Sequence, residues 1–284
     1  MLKKSSQLAG TLLFAALLIV VTSPAQGFEY DLTTAGSTAT DAGVIFNQIN
    51  PQATGTGLID SFVQIGQPGG SLTATQAYNT TVNNVINNGA SDQFNHALLL
   101  SSVPTVTIGS TVYREFVLDI NETGAHPLLS ISDIQVFLTN TGNQSVTDTN
   151  GNGQLQLKDS KLIYRLDAGG DDSIKMNYSL NHGSGSGDMT MLIPNSLFTA
   201  GFNQVVLYSS FGKPIAQDDG FEEWFVCVNK STGAAQACTG STSGTNVSGS
   251  LSQSVPEPAS MLLFGMGLVF VGRRISKQRK GQAS

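Results

Sequence analysis

The stretch Tyr113–Ile120 (YREFVLDI) carries the clearest β-strand signal in this 284-residue chain. Its apolar and polar residues alternate, although imperfectly, with the period of two that separates the faces of a strand. Phe116, Leu118 and Ile120 fall on one face. We therefore predict a strand here and read the rest of the chain outward from it.

Six further segments have the same character, each bounded by turns rich in Gly, Asn and Asp. They are Leu129–Leu138 (LSISDIQVFL), Lys161–Leu166, Ile174–Leu180, Met189–Ile193, Gln204–Phe211 and Phe221–Val228. The composition is rich in Gly, Thr, Ser and Asn, and no long stretch has the 3.6-residue period of a helix. These features predict an all-β fold, a two-sheet antiparallel sandwich or jelly roll.

The secondary-structure pattern is weaker in the first part of the exported region, residues 26–109. Gly55–Ile65 and Ala97–Ile108 are typical of strands, whereas Thr75–Asn88 fits a strand, a short helix or a loop. The topology of residues 26–109 therefore stays open at this point.

Charge separates the two ends of the chain from its middle. Seven of the 14 Lys and Arg residues, but only one of the 20 acidic residues, lie in the end segments 1–25 and 255–284. The part between carries seven cations and nineteen acids, a formal charge near −12. Such a surface repels phosphate backbones, so we expect no nucleic-acid partner.

The N-terminus has the pattern of a secretory signal peptide. Lys3 and Lys4 precede an apolar run from Leu8 to Val21, and Ser23-Pro24-Ala25 supplies the small residues of a cleavage site. We predict a signal peptide over 1–25 and passage through the export translocon.

The C-terminal segment combines an acidic-proline motif, an apolar stretch and a basic end. Val255-Pro256-Glu257-Pro258 is followed by thirteen uncharged residues, 259–271, and then by Arg273-Arg274. As a helix the stretch would be about 20 Å long, against about 30 Å of hydrocarbon. It predicts a short transmembrane helix with a cytoplasmic C-terminus.

This segment, VPEPASMLLFGMGLVFVGRR, closely resembles the PEP-CTERM sorting signal of Gram-negative bacteria. The resemblance implies export, transient retention in the inner membrane and cleavage near Pro-Glu-Pro by an exosortase, a transpeptidase-like membrane enzyme. Pro256, Glu257 and Pro258 would be the recognition element, and Arg273-Arg274 the retention signal. Prolines on both sides of Glu257 also keep the backbone extended for a processing enzyme.

Four domains follow from these segments. We predict a signal peptide over 1–25, a β-sandwich ectodomain over 26–239, a tether rich in Ser, Gly and Thr over 240–254, and the sorting tail over 255–284. Stretches within the ectodomain (113–122, 166–189, 193–198 and 219–224) look like a domain that recurs among PEP-CTERM proteins and has no assigned activity. That likeness implies an architecture and no mechanism.

The best local motif for chemistry is DTNGNGQLQLKD, residues 148–159. Oxygen-bearing side chains stand at calcium-loop positions 1, 3 and 5, a glycine at 6, a backbone-carbonyl position at 7 and a carboxylate at 12. The corresponding residues are Asp148, Asn150, Asn152, Gln154 and Asp159. The motif resembles the loops of EF-hand and dockerin proteins, except that both middle side chains are Asn and the last is Asp rather than Glu. We predict weak binding of Ca²⁺, with a polar hairpin turn as the alternative.

A second set of acids lies beside glycine-rich loops: Asp167, Asp171, Asp172, Asp188, Asp218, Asp219, Glu222 and Glu223. If the loops cluster, these residues form a cation site or a sugar-binding rim; the alternative is solvated turns. Trp224, the only tryptophan, is expected in the core rather than as a sugar platform.

The two cysteines, Cys227 and Cys238, are expected to form a disulfide after export. No HExxH, HxH or GxSxG pattern is present, so the sequence offers no zinc site and no lipase-like nucleophile. Paired acids distant in sequence leave a glycosidase open.

We therefore expect a non-catalytic, exported surface or matrix protein, processed by an exosortase and associated with exopolysaccharide or biofilm. It would be held briefly in the inner membrane and then reach the cell surface or the medium. The alternatives are a lectin-like carbohydrate-binding module and an enzyme acting on polysaccharide.

Overall fold

In a computed structural model, residues 27–49, 59–66, 75–82, 86, 93–168, 171–182, 187–229 and 231–238 are described. All of them lie in the first of two units, Met1–Thr242; the second is Ser243–Ser284. The signal peptide, the tether, the sorting motif and the predicted membrane helix lie outside the described residues, so those predictions stand as made. Within the described ranges, no helix is long and apolar enough to cross a membrane.

The described residues contain fourteen strands, which are numbered in chain order. They are β1 Glu29–Asp31, β2 Thr38–Asp41, β3 Val44–Gln48, β4 Ile59–Gly66, β5 Thr75–Tyr78, β6 Leu98–Leu99, β7 Thr105–Ile108, β8 Thr111–Asp119, β9 Leu128–Thr139, β10 Ser160–Arg165, β11 Ser173–Asn177, β12 Met189–Pro194, β13 Gln204–Phe211 and β14 Phe221–Cys227. Three single-turn 3₁₀ helices occupy Leu100–Ser102, Tyr178–Leu180 and Asn195–Leu197.

The strands form two seven-stranded sheets. The first sheet has the order β1-β11-β9-β13-β5, with β10 also paired to β9 and β6 to β13. The second sheet has the order β2-β3-β12-β8-β14-β4, with β7 also paired to β8. Every pairing is antiparallel except that of β1 with β11.

One hydrophobic core joins the two sheets. Phe116 and Leu118 of β8 and Trp224 of β14 pack in the same cluster as Ile134 of β9 and Leu207 of β13. Apolar side chains from both sheets therefore fill the space between them, as in a β-sandwich. The predicted all-β, two-sheet antiparallel architecture is confirmed, and the more specific jelly-roll topology stays a prediction.

The predicted strands differ from the observed ones at a few places. Ile174–Leu180 is too long, because the strand ends at Asn177, whose side-chain oxygen accepts the N–H of Ser179 and caps the 3₁₀ turn. Ala97–Ile108 is wrong as one strand. Its chain turns at 100–102, so β6 pairs in the first sheet and β7 in the second. The sequence reading also missed β1 to β3.

Candidate functional site

The outer face of the first sheet is half covered and half open. A second hydrophobic cluster on this face packs Leu155 and Leu157 against Phe137, Val206 and Tyr208. The segment that carries these leucines is held at Gln135, which donates to the Gly153 carbonyl (3.0 Å) and accepts from the Leu155 N–H (2.9 Å). Beside the covered half lies an open cleft.

This outer cleft has a volume of about 660 Å³. Asp133, Tyr208 and Ser210 line it and alternate along β9 and β13 with residues of the core, which places the cleft on the side away from the second sheet. Its remaining wall comes from Ser132 and from the segments 27–29, 75–76, 149–153, 165–167, 171–173 and 213–214. A concave surface of this size, lined mainly by polar and charged residues, fits a hydrophilic ligand.

Arg165 is the central charge of the outer cleft. Its Nε lies 3.3 Å from Asp133 Oδ2 and one of its terminal nitrogens 3.5 Å from Asp167 Oδ2. The Arg165 side chain is only 6 % exposed, so these two carboxylates compensate a buried cation. The guanidinium thus fixes the positions of both acids at the cleft wall.

The acids of the outer cleft have perturbed pKa values. Burial raises the pKa of Asp133, against the opposing effects of the Gln135 amide and Arg165. Burial also raises the pKa of Asp172, and the neighbouring carboxylates of Asp41, Asp167 and Asp171 add to that rise. The cleft lining contains five acids in all, Glu29, Asp133, Asp167, Asp171 and Asp172. It contains two cations, Arg165 and Lys213.

The predicted calcium loop is a hairpin-like turn at the rim of this cleft. The side-chain oxygen of Asn150 accepts the N–H groups of Asn152 (3.2 Å) and Gln154 (2.9 Å). The backbone carbonyl of Asp148 accepts the N–H of Gln156 (3.3 Å), while Asp159 lies beyond the two buried leucines, immediately before β10. Among the described residues no group of three or more His, Cys, Asp or Glu side chains is arranged to hold a metal. Calcium binding by this turn stays a prediction.

A separate group of acids lies at one end of the second sheet, next to β8, β12 and β14. We call Asp119, Glu122, Asp188, Asp218 and Glu222 the acid cluster. Asp119, Glu122, Asp188 and Glu222 are at most 3 % exposed. Backbone N–H groups of residues 120 and 121 donate to Asp188 and Glu222, both at 2.8 Å. The antiparallel register brings these acids together, because residue 118 of β8 pairs with residue 189 of β12 and residue 224 of β14.

Burial shifts the pKa values of the acid cluster upward. It raises the pKa of Asp188 to about 8 and that of Glu122 to about 9, with help from Asp119 and Asp218 respectively. Burial and the nearby carboxylates hold the pKa of Glu222 well above its usual range. A hydrogen bond from Glu122 lowers the pKa of Asp218. The cluster thus holds protons that solvated carboxyl groups lose.

The second predicted acid set is divided between these two places. Asp167, Asp171 and Asp172 line the outer cleft, whereas Asp188, Asp218 and Glu222 belong to the acid cluster. The remaining two acids of the set join neither group: Asp219 is exposed and accepts from Gly220, and Glu223 accepts from Ser61 on β4. The loops therefore do not bring all eight acids together at a single rim.

Two acids of the cluster escaped the sequence reading. The sequence pattern gave neither Asp119 nor Glu122 a role in a site. The signal that could have found them is an acid at the end of a largely apolar strand and a second acid three residues later. Trp224 is fully buried in the core, as predicted.

The histidines lie apart from one another. His96 Nε2 lies 3.3 Å from Asp60, His126 Nδ1 lies 2.9 Å from Asp218, and His182 packs against the ring of Tyr178.

The cysteine pair closes a hairpin after β14. Cys227 and Cys238 form a disulfide, and within the hairpin the N–H of Gln236 donates to the Cys227 carbonyl (2.9 Å). The N–H of Cys238 donates to Glu115 on the outer face of β8 (2.7 Å). The bond therefore ties the segment that follows β14 back to the second sheet, of which β14 is a strand.

Replacing both Cys227 and Cys238 by serine should lower the free energy of unfolding by about 2–3 kcal/mol, because the unfolded chain regains the freedom of the open loop. Urea denaturation of the full chain measures the change. Wild-type protein kept in reductant is the matched control and should unfold at the same urea concentration as the variant. Equal stability of the oxidised wild type and the variant would contradict the prediction.

Comparison with known proteins identifies the C-terminal segment. Residues 254–280 match the model of the PEP-CTERM protein-sorting motif. No curated protein and no solved structure matches the chain. The resemblance seen in the sequence is thus confirmed for the tail, and it supports an exported protein that is anchored transiently at the membrane and processed by an exosortase.

Proposed function

We propose that this chain is a non-catalytic protein of the extracellular matrix that binds exopolysaccharide through the outer cleft. An exosortase would release it by cleavage near Pro256-Glu257-Pro258. The observation that carries the binding role is the cleft itself, a groove of about 660 Å³ walled by carboxylates, a guanidinium, amides and hydroxyls.

The chemistry of the cleft favours a sugar chain. Sugar hydroxyls donate and accept hydrogen bonds, and the lining offers acceptors at Asp133 and Asp167 and hydroxyls at Ser132 and Ser210. The ion pairs of Arg165 hold the first two of these groups in place before any ligand arrives, which reduces the entropy cost of binding.

The net negative charge of the cleft lining limits the kinds of sugar polymer that the cleft can bind. Five acids face two cations, so a uronic-acid polymer would meet net repulsion. A neutral or amino-sugar chain fits better. The sorting motif supports this role, because it delivers the protein to the compartment where such polymers accumulate.

Replacing Ser210 by phenylalanine should reduce binding to the host's exopolysaccharide at least tenfold, because the ring would occupy the open cleft. Ser210 is half-buried, points out of the first sheet and lines the cleft. Affinity is measured by co-sedimentation of the full chain with purified exopolysaccharide.

Thr107→Phe is the matched control, since it adds a ring to an exposed strand position of β7, in the second sheet. Equal binding by wild type and the Ser210 variant would contradict the cleft assignment. Release of reducing sugars during the incubation would contradict the non-catalytic role.

A further inference from the structure

Two buried oxygen atoms at the end of the second sheet have no hydrogen-bond donor among the described residues. They are Oδ1 of Asp188 and Oδ1 of Asn181. Both side chains are more than nine-tenths buried, with 2 % and 7 % exposure. Leaving such acceptors unsatisfied is costly, so each one needs an explanation.

The other polar atoms of these two side chains already form hydrogen bonds. Asp188 Oδ2 accepts the N–H of Ile120 at 2.8 Å. The Asn181 amide nitrogen donates to the carbonyls of Ile49 (2.5 Å) and Gly187 (3.1 Å). The side chains are therefore fixed in place, and rotation that satisfied Oδ1 would break a bond elsewhere.

A third oxygen-bearing side chain completes the group. The Asp119 carboxyl, 3 % exposed, lies beside Asp188, and so does the Asn181 side chain. No ion pair with Lys, Arg or His reaches Asp188 within the described ranges. The site is thus rich in oxygen, no basic side chain neutralises Asp188, and a cation would bind there in place of the proton that burial otherwise favours on Asp188.

We propose that Asp119, Asn181 and Asp188 bind one Ca²⁺ ion. A hard divalent cation takes oxygen ligands only, and calcium accepts carboxylates and amide oxygens in irregular arrangements. Magnesium requires near-octahedral geometry at short distances and suits this set less well. Two carboxylates and one amide leave several of the six to eight calcium positions to water or carbonyls. We therefore expect a dissociation constant of about 10⁻⁴–10⁻³ M.

The ion would link three parts of the fold. Asp119 ends β8, Asp188 precedes β12, and Asn181 follows the 3₁₀ turn after β11 in the first sheet. The three residues therefore connect the two sheets at one end of the sandwich. This inference is independent of the proposed function, since it needs neither polysaccharide nor cleavage, and the site is distinct from the turn at 148–159.

The test is thermal unfolding of the full chain, stripped with EGTA and then titrated with CaCl₂. At 10 mM calcium we expect the Tm to rise by about 3–8 °C, and equimolar MgCl₂ to give less than half of that rise. Asp188→Asn should abolish the calcium response without lowering the Tm of the stripped protein, because the new amide is uncharged and can donate to neighbouring oxygens. Asp119→Asn is the second variant and should also lose the response.

Asp148→Asn separates this site from the turn at 148–159 and should keep the part of the response that Asp188→Asn and Asp119→Asn remove. An unchanged Tm of the wild type in calcium would overturn the proposal. An equal response to magnesium would indicate general screening and would overturn it as well. So would a response that survives in both Asp188→Asn and Asp119→Asn.

Discussion

Replacing Arg165 by methionine should lower the free energy of unfolding by about 3–5 kcal/mol, because Asp133 and Asp167 would lose the cation that compensates them in a buried setting. Arg165 and Asp133 are 6 % and 10 % exposed at the side chain, and their atoms lie 3.3 Å apart. Urea denaturation of the full chain at pH 7 measures the loss. The same variant should bind exopolysaccharide poorly even where it is folded, because both acids would lose their fixed positions.

The matched control is the double variant Arg165→Met with Asp133→Asn. It removes the uncompensated charge together with its partner, so it should recover a large part of the lost stability. A loss below 1 kcal/mol in the single variant, or a double variant no more stable than the single one, would show that the ion pair does not hold the cleft.

Stability should fall as the pH rises from about 5 to about 9, because the folded chain keeps a proton on Glu122 that the unfolded chain releases. Burial raises the pKa of Glu122 to about 9 from its ordinary value of 4.5. Above pH 4.5 the unfolded state ionises first, so the free energy of unfolding decreases until the pH passes the folded value. Glu222, whose pKa is also raised, adds to the decrease.

The stability at low pH depends on Asp218, which lies beside Glu122. Asp218 has a lowered pKa and contacts His126 at 2.9 Å, so its contribution is lost in acid. Stability should therefore have a maximum near pH 5. Allowing for local opening to water, we expect a loss of about 3 kcal/mol between pH 6 and pH 9.

Glu122→Gln should flatten this profile and raise stability at pH 9, since the amide keeps a donor to Asp218 without titrating. Urea denaturation in EGTA across pH 5–9 measures both effects. Asp219→Asn, a change at an exposed acid of the same end, should leave the slope unaltered. A wild-type profile that is flat or rises with pH would contradict the protonated state of the cluster.

The strand pattern predicts the sheets well where one face is apolar. In β8, Phe116 and Leu118 share one face and pack in the core between the sheets, whereas Val117 on the other face packs in a small separate cluster. The pattern fails where strands are very short or where the chain changes sheets. At 97–108 the local signals of a break, Ser101, Ser102 and Pro104, stand between apolar residues, and the packing of Leu98 and Val103 in the core fixes the turn between the two sheets.

The candidate sites were harder to predict than the strands. Asp119 alternates with apolar residues as a solvent-facing position would, and only the register with β12 and β14 buries it near Asp188 and Glu222. The outer cleft joins residues as distant as Gly27 and Lys213, which no local spacing can bring together. The sorting tail is the opposite case, because its order of motif, apolar stretch and arginines is entirely local.

The most direct test of the account is the intact mass of the mature protein recovered from its native host. We expect a chain that has lost residues 1–25 and everything beyond the Pro256-Glu257-Pro258 region, found outside the inner membrane. A mature protein that still carries Arg273 and Arg274, or one that remains in the cytosol, would contradict the export and processing on which the proposed function depends.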